Sequence, residues 1–326
     1  MNRMIRLACL CLAAAPLAGP VSQAAAQPYP ARPIRIVVPF PAGSGADLMA
    51  RSVGAKLAER WRQQVIADAR PGASGIIASE LVLQAPADGY TLMLGTSSSH
   101  AANVSTRRNL SYHPLRDFSP VSLIARVPML VCAHPSVPVK SAKELIAFAK
   151  ARPGEVTYGT AGNGTTAHLA TELFKFMAKV NLVHVPYRGS PQAMTDGIAG
   201  QVSLVVVPIV TGLPHVRAGK LRALAVTTPS ASPIAPEVPP LAAAGLPGYD
   251  ATLWYGLFAR SGTPREIVGR LSGEVVNVLR LGDVGASLRK LGAEPAGNTP
   301  EQFAAMVKSE IEKWARVVKA SGITVN

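Results

Sequence analysis

The sequence has few cysteines. It contains three in 326 residues, and two of them, Cys9 and Cys11, lie in the N-terminal segment. That segment has the pattern of a cleaved signal peptide, as shown below, and its removal would leave Cys132 as the one remaining cysteine. A single cysteine cannot form an internal disulfide. A mature chain of about 300 residues must therefore be held together by its hydrophobic core, and that length favours two domains.

Motifs of enzymes and metal sites are also missing. The six histidines show neither H-x-H nor H-E-x-x-H spacing, so we predict no metal site. There is no G-K-[ST] phosphate loop and no G-x-S-x-G nucleophile elbow. The segment 162–167 fits the loose G-x-G-x-x-A pattern, but the acidic residue expected about twenty positions later is absent. We therefore predict no nicotinamide cofactor, and no other cofactor.

Aromatic residues are scarce as well, at 5% of the chain. The basic residues are scattered, with only pairs such as Arg107 and Arg108 adjacent, so we predict no nucleic-acid partner. The formal net charge is nevertheless +14, and such a field attracts anions. In an exported protein this charge either helps to recruit small acidic solutes or serves solubility.

Residues 1–26 have the pattern of a secretory signal peptide. Arg3 and Arg6 form a basic region, residues 7–17 are apolar, and Ala24–Ala26 offers a small-residue cleavage site. The apolar run is shorter than the ~20 residues that a membrane span needs. We therefore expect an exported protein, cleaved near Ala26, with no membrane anchor.

A glycine-rich loop is the most informative feature that is present. Residues 158–169 follow a short strand pattern and lead into a predicted helix. The apolar positions that predict this helix are Leu169, Leu173, Phe176, Met177 and Val180. Glycines let the backbone approach a ligand closely, and the free N–H groups at a helix start favour an anion. The loop is therefore predicted to bind a carboxylate or phosphate.

A second loop of this kind lies near the start of the mature chain. The apolar strand 34–40 is followed by the loop 41–45, and Asp47 lies in the first turn of the next helix. The core positions of that helix are Met49, Val53, Leu57 and Trp61. A third loop, 95–100, also follows a strand. Two glycine loops at the carboxyl ends of strands suggest two walls of one cleft.

Strand and helix patterns alternate from residue 34 onward, which favours parallel α/β sheets with helices on both faces. The apolar run 121–132, interrupted by Pro128, is interpreted as a strand that passes into a second domain. The run 252–259 would carry the chain back after a proline-rich linker, 229–247. Two crossings imply a discontinuous first domain with a hinge, ending in helices over 264–281 and 300–320.

Three side chains near these loops have two interpretations each. Asp47 either caps its helix or recognises an ammonium or hydroxyl group of a ligand. His168 either orients the second loop or contacts the ligand directly. Arg188 either pairs with a carboxylate or is an exposed turn residue.

These motifs together resemble the Bug (TctC-like) family of periplasmic solute receptors, the binding components of tripartite tricarboxylate transporters. The resemblance covers essentially the whole mature chain. It rests on the segments 39–47, 70–75, 87–92 and 158–169, and on 185–189, 256–259 and 262–264.

The resemblance implies an α/β, two-lobed periplasmic-binding-protein fold, type II-like, with a hinge and a ligand cleft between the lobes. Lobe 1 would comprise residues 27–128 and 252–326, and lobe 2 residues 129–251. The expected ligand is a small carboxylate: a di- or tricarboxylate, an acidic amino acid or an aromatic acid. The protein would act as a monomer in the periplasm and serve membrane transporter subunits or a sensor kinase.

The family's binding loops fall on named positions of this chain. We expect ligand contacts from Phe40, Gly43, Ser44, Gly45, Asp47, Thr96, Thr160, Ala161, Gly162, Gly164, Thr165, Thr166, His168, Tyr187 and Arg188. Ser203 and Val207 stand where the family often has acidic residues. A valine at position 207 would make that wall of the cleft more apolar and favour an apolar or aromatic acid.

Two other classes of protein remain open. One is an exported hydrolase or isomerase acting on a small organic acid, with His168 and Asp47 as acid and base across the cleft. The other is a structural or adhesive envelope protein, which would show no response to small ligands.

Overall fold

A computed structural model describes residues 29–321 of the chain. The predicted signal peptide, 1–26, lies outside the described residues. The strands are β1 (Ile34–Val38), β2 (Val65–Ala69), β3 (Thr91–Thr96), β4 (Phe118–Val127), β5 (Met129–Ala133), β6 (Thr157–Thr160), β7 (Val183–Pro186), β8 (Leu204–Pro208), β9 (Arg222–Val226), β10 (Leu253–Arg260) and β11 (Glu294–Pro295).

The α-helices pack around these strands. They are α1 (Gly45–Trp61), α2 (Ile76–Gln84), α3 (Asn103–Thr106), α4 (Ala142–Ala151), α5 (Thr166–Ala178), α6 (Ser190–Ile198), α7 (Ile209–Arg217), α8 (Arg265–Leu279), α9 (Gly282–Lys290) and α10 (Pro300–Ser321). Short 3₁₀-helices form at Ala73–Gly75 and Leu241–Ala244, and a π-helical turn forms at Ser98–Ala102. None of the helices within residues 29–321 is both long enough and apolar enough to span a bilayer.

The strands form two separate sheets. The first has six strands in the order β11-β4-β10-β3-β1-β2, and the second has five in the order β7-β6-β8-β5-β9. Both sheets are mixed, so the expectation of parallel sheets is wrong. β10 runs antiparallel to β3 and β4, and β5 runs antiparallel to β8 and β9. The strands concerned, β5 and β10, are the first strands after the two crossings between the sheets. Each therefore enters its sheet from the end opposite to that used by its neighbours.

The chain passes between the sheets twice. The apolar run 121–132 divides at Pro128, with β4 in the first sheet and β5 in the second. The segment 227–252 leads from β9 back to β10. Backbone hydrogen bonds hold the first crossing, because Ile209 N donates to Pro128 O at 3.0 Å and Thr227 N donates to Met129 O at 3.0 Å. The lobe boundaries at 128 and 252 remain a prediction.

Helix α1 begins where the sequence predicts it. The hydroxyl of Ser44 accepts a hydrogen bond from Asp47 N, and Met49, Val53 and Leu57 are buried against the first sheet. Helix α5 begins in the same way, with Thr165 accepting from His168 N. Both loops before these helices therefore end in a side-chain cap.

Aromatic residues fill the core of the first sheet. Trp254 and Phe258 of β10 pack with Phe303 of α10, whose ring lies over Gly256. A Cβ atom at Gly256 would lie 2.1 Å from Phe303 Cζ, so only glycine allows this approach of helix to strand. The C-terminal helix is thereby fixed to the central strand.

One helix was missed, and one expected core position is wrong. Helix α9 follows α8 directly and was not predicted, because its two glycines obscure the apolar spacing. Phe176 of α5 is 46% exposed, and Phe174 is buried in its place. Leu169 and Leu173 are buried as predicted, whereas the last turn of α5 buries Ala178 and leaves Phe176 exposed.

Candidate functional site

The N-termini of α1 and α5 meet at one small chamber between the two sheets. Its volume is about 30 Å³, and a buried water needs about 10–15 Å³. The chamber is therefore large enough to hold a small polar group. It is lined by Phe40, Ser44, Gly45, Ala46, Met129, Ala161, Thr165, Thr166, Ala167, Ser190, Pro208, Leu253 and Tyr255.

Each helix contributes two free backbone donors to this chamber. The N–H groups of Gly45 and Ala46 in α1, and of Thr166 and Ala167 in α5, form no hydrogen bond within residues 29–321. The first N–H groups of an α-helix have no partner inside the helix. Each helix start also carries about half a positive charge. Two such ends facing one cavity make it a site for an anionic group.

The remaining walls of the chamber are mostly apolar, with Ser190 and Tyr255 as the polar exceptions. Met129, Pro208 and Leu253 lie beside the points where the chain crosses between the sheets. A Cβ atom at Gly45 would lie 3.4 Å from Tyr255 Oη. The phenol of Tyr255 therefore lies close to the start of α1. Burial raises the pKa of Tyr255, which stays a neutral hydrogen-bonding group.

The chamber opens into a wider mouth of about 410 Å³. The mouth is lined by Pro39, Phe40, Pro41, Pro71, Gly72, Ala73, Ser74, Arg107, Ala161, Gly162, Asn163, Thr165, Tyr187 and Arg188. Phe40, Ala161 and Thr165 line both spaces, so a single ligand can extend from one into the other. Two arginines and no carboxylate line the mouth, which gives it a positive potential.

Hydrogen bonds join the two lobes across this cleft. Ser97 Oγ and Thr166 Oγ1 lie 2.7 Å apart, and both side chains are buried. Ser74 Oγ donates to the backbone oxygen of Asn163. Ala73 and Ser74 both adopt positive φ angles, of 45° and 54°, which is uncommon for residues other than glycine. The two hydrogen bonds between the lobes hold them in a closed arrangement.

The carboxylate of Asp47 is fully engaged within lobe 1. It accepts a hydrogen bond from Gly43 N at 3.0 Å and pairs with Arg51 Nε at 2.9 Å. The side chain is 3% exposed and lines neither the chamber nor the mouth. These contacts favour the interpretation of Asp47 as a residue that stabilises its helix start.

His168 orients the second loop. Its Nδ1 accepts a hydrogen bond from Gly164 N at 3.1 Å, and its ring stacks on His184 at 4.2 Å. Burial lowers the pKa of His168, and burial lowers the pKa of His184 to about 3. Neutral His184 in turn shares a hydrogen bond of 2.7 Å with Thr160 Oγ1. Neither Asp47 nor His168 reaches the cleft as an acid or a base.

The fifteen predicted site residues fall into two groups. Those that line the cleft are Phe40, Ser44, Gly45, Ala161, Gly162, Thr165, Thr166, Tyr187 and Arg188. Those that do not line the cleft but form hydrogen bonds within its loops are Gly43, Asp47, Thr96, Thr160, Gly164 and His168. Tyr187 donates to Asp196 at 2.8 Å, and burial with this hydrogen bond raises its pKa to about 12.

Val207 does not form a wall of the cleft. It is fully buried in β8, and a Cβ atom at Gly212 of α7 would lie 3.2 Å from its Cγ2. Ser203 lies at the opposite end of β8, where its backbone N donates to Thr157 Oγ1 at 2.9 Å. The expectation that Val207 selects an apolar ligand is therefore wrong, because the side chain faces the helix.

Several cleft residues escaped the sequence analysis. Arg107, Ser74 and Ser97 lie on segments without a strong pattern, and only tertiary packing brings them to the cleft. The segments 70–75 and 95–100 were singled out, but their individual side chains were not. Among the described residues 29–321, no cluster of three or more histidine, cysteine or acidic side chains could hold a metal ion.

The two mixed α/β sheets, with a cleft lined by helix N-termini between them, define a two-lobed periplasmic-binding-protein fold. The family model described as "Tripartite tricarboxylate transporter family receptor" matches residues 49–323. The chain belongs to this family, a family of receptors, and the resemblance seen in the sequence is confirmed.

Individual relatives agree with this assignment. Protein BugT of Bordetella pertussis is 36% identical over 99% of this chain and 98% of its own length. The solved structure titled "R. palustris Rpa4515 with adipate" is 41% identical, with a TM-score of 0.87 over 91% of this chain and 99% of its own. MatC from Rhodopseudomonas palustris, solved with bound malate, is 33% identical, with a TM-score of 0.84 over 89% of this chain and 100% of its own.

Proposed function

We propose that this protein is an exported periplasmic receptor that captures a small carboxylate between its lobes. One carboxylate of the ligand would occupy the chamber, which is lined by the four residues with free N–H groups, Gly45, Ala46, Thr166 and Ala167. The presence of two helix N-termini at one chamber is the observation that carries the proposal. The adipate and malate bound to two solved relatives belong to the same chemical class.

Binding and closure would be one process. Donors from α1 belong to one lobe and donors from α5 to the other, so a carboxylate is fully coordinated only when the lobes meet. The ligand therefore has a higher affinity for the closed state and shifts the population toward it. The hydrogen bond between Ser97 and Thr166 forms in the same state. No covalent step is needed.

The solute would then be delivered, by a monomeric receptor, to membrane subunits of a tripartite tricarboxylate-type transporter or to a sensor. The family to which the chain belongs supports the transporter as the first partner to test. The signal peptide pattern before Gln27 supports export to the periplasm.

A thermal-shift screen tests the proposal. The chain from Gln27, unfolded to remove bound solute and refolded, is heated with mono-, di- and tricarboxylates, acidic amino acids and aromatic acids. Sugars and amines serve as controls. A ligand at 100 times its dissociation constant should stabilise the fold by about 2.7 kcal/mol. A flat response to every acid, from protein shown to be folded and empty, would contradict the proposal.

A pair of variants at Gly45 tests the chamber itself. Proline fits the first position of a helix, and Ser44 before it is already extended, with φ −70° and ψ 162°. Gly45→Pro therefore removes one N–H donor while the helix keeps its hydrogen bonds. Gly45→Ala adds a Cβ atom but keeps the donor. We expect Gly45→Pro to bind acids about 10- to 100-fold more weakly than Gly45→Ala. Equal affinities would exclude this donor from the site.

A further inference from the structure

Arg107 is an arginine of the cleft without an anionic partner. It follows α3 directly, is half-buried, and lines the mouth. Its Nε is enclosed and has no hydrogen-bond partner within residues 29–321. Nor does any ion pair of the described chain include its guanidinium group.

Other arginines of lobe 1 are placed differently. Arg35 pairs with Asp68, Arg51 with Asp47 and Arg116 with Asp117. A charged group that loses water on burial is normally paired, because the loss of hydration is costly. Burial lowers the pKa of Arg107, and the nearby Tyr112 only partly offsets this effect. The cleft therefore holds a partly desolvated cation that no acidic side chain of the described chain pairs with.

The position of Arg107 relative to the chamber matters. The chamber holds backbone donors for one carboxylate, while Arg107 lies in the mouth outside it. The apolar side chains of Phe40 and Ala161 line both spaces and can cover a short hydrocarbon chain between them. Arginine presents a planar set of donors that matches a carboxylate.

We propose that Arg107 binds the second carboxylate of a straight-chain α,ω-dicarboxylate whose first carboxylate lies in the chamber. This inference rests on the proposed function and narrows it from small carboxylates in general to linear dicarboxylates. It assigns Arg107 as a specificity-determining residue, since a monocarboxylate of the same length leaves the guanidinium unpaired.

The test compares matched ligands by calorimetry. Glutarate, adipate and pimelate are each paired with the monocarboxylate of equal length: valerate, hexanoate and heptanoate. We expect at least one dicarboxylate to bind the wild-type protein more tightly than its partner, with an advantage of about 10- to 100-fold. Arg107→Gln should remove this advantage by weakening dicarboxylate binding far more than monocarboxylate binding, and the monocarboxylate binding that remains shows that the variant is folded.

Two further variants complete the design. Arg107→Lys keeps the charge but loses the planar donors, so it should retain part of the advantage. Arg108→Gln changes the neighbouring exposed arginine, which does not line the mouth, and should retain all of it.

The outcomes separate this inference from the proposed function. If the wild-type protein binds mono- and dicarboxylates equally well, or if Arg107→Gln weakens both to the same extent, the assignment of Arg107 is overturned while carboxylate capture stands. If no acid of either series or of the wider panel binds to the wild-type protein, both proposals fail.

Discussion

His100 is enclosed by aromatic side chains at the centre of lobe 1. Its ring centroid lies 4.1 Å from that of Phe258 and 4.7 Å from that of Phe118, with Tyr112 at 5.9 Å. Ser99 Oγ is 3.0 Å from Nδ1, whereas Nε2 has no partner within residues 29–321. Burial lowers the pKa of His100 to about 3 from its ordinary value of 6.5. The folded protein therefore holds this ring neutral at any pH near neutrality.

This residue makes stability depend on pH. Below pH 6.5 the unfolded chain binds a proton at His100 that the folded chain does not, so stability falls as the pH drops from 6.5 toward 3. Between pH 8 and pH 5 the loss from this group is about 2 kcal/mol. Urea unfolding of His100→Asn should show a pH dependence weaker by about that amount. An unchanged slope would contradict the assignment.

Some residues of the candidate site could be predicted from the local sequence, and others could not. Ser44 and Thr165 precede glycine-containing loops and helical spacing, so both helix starts could be predicted from local pattern. Arg107 could not, because its position depends on how lobe 1 folds around the cleft. Val207 was placed in the cleft by mistake. Successive side chains of a strand point to opposite faces, so an error of one position in β8 is enough to assign a residue to the wrong face.

At the scale of elements, the starts of α1 and α5 line the candidate site, and hydrogen bonds between the two lobes hold its walls together. Ser97 follows β3 and Thr166 opens α5, so their hydrogen bond links one lobe to the other. Ser74 makes the second such link from a backbone with positive φ. Strained backbone persists where surrounding contacts maintain it.

Removal of one link should favour the open state. Ser97→Ala deletes a hydrogen bond worth about 0.5–1.5 kcal/mol, so adipate, as a probe, should bind about 2- to 10-fold more weakly. Ser98→Ala is the matched control, because Ser98 bonds to Thr96 within the same lobe, at 2.9 Å. Calorimetry on both variants separates closure from general loss of stability. Equal effects would show that the link between lobes adds nothing to binding.

Elements differ in how well the sequence predicts them. Helix α1 begins at a cap that the sequence shows locally, and α4, Ala142–Ala151, begins in the same way, with Ser141 Oγ accepting a hydrogen bond from Glu144 N at 3.1 Å. The mixed direction of the strands was not predicted, because periodicity reports which residues are buried and not which way a strand runs beside its neighbour. That direction follows from the two crossings of the chain.

At the scale of the whole molecule, motion between the lobes should control access to the chamber. Ser97 Oγ and Thr166 Oγ1 lie 2.7 Å apart, within reach of a disulfide if both are changed to cysteine. Cys132, the free cysteine of the described chain, is buried and does not compete.

The double variant Ser97→Cys with Thr166→Cys should lock the closed state. Oxidised without ligand, it should show no thermal shift with added adipate, while the reduced form should respond. Oxidised after adipate is added, it should retain the acid through dialysis. The single variant Ser97→Cys controls for the change of side chain. Normal uptake by the oxidised protein would show that the cleft need not open there.

The order of strands in the two sheets also bears on which part of the chain can fold first. The second sheet is built from one uninterrupted stretch, Met129–Val226, whereas β10 occupies the middle of the first sheet between β3 and β4. Strands β1 to β4 precede β10 by a long stretch of sequence, because β10 begins at Leu253 and more than half of the residues after β4 come before it. The middle of the chain is therefore the first part able to complete its own sheet, and the lobe that begins first finishes last.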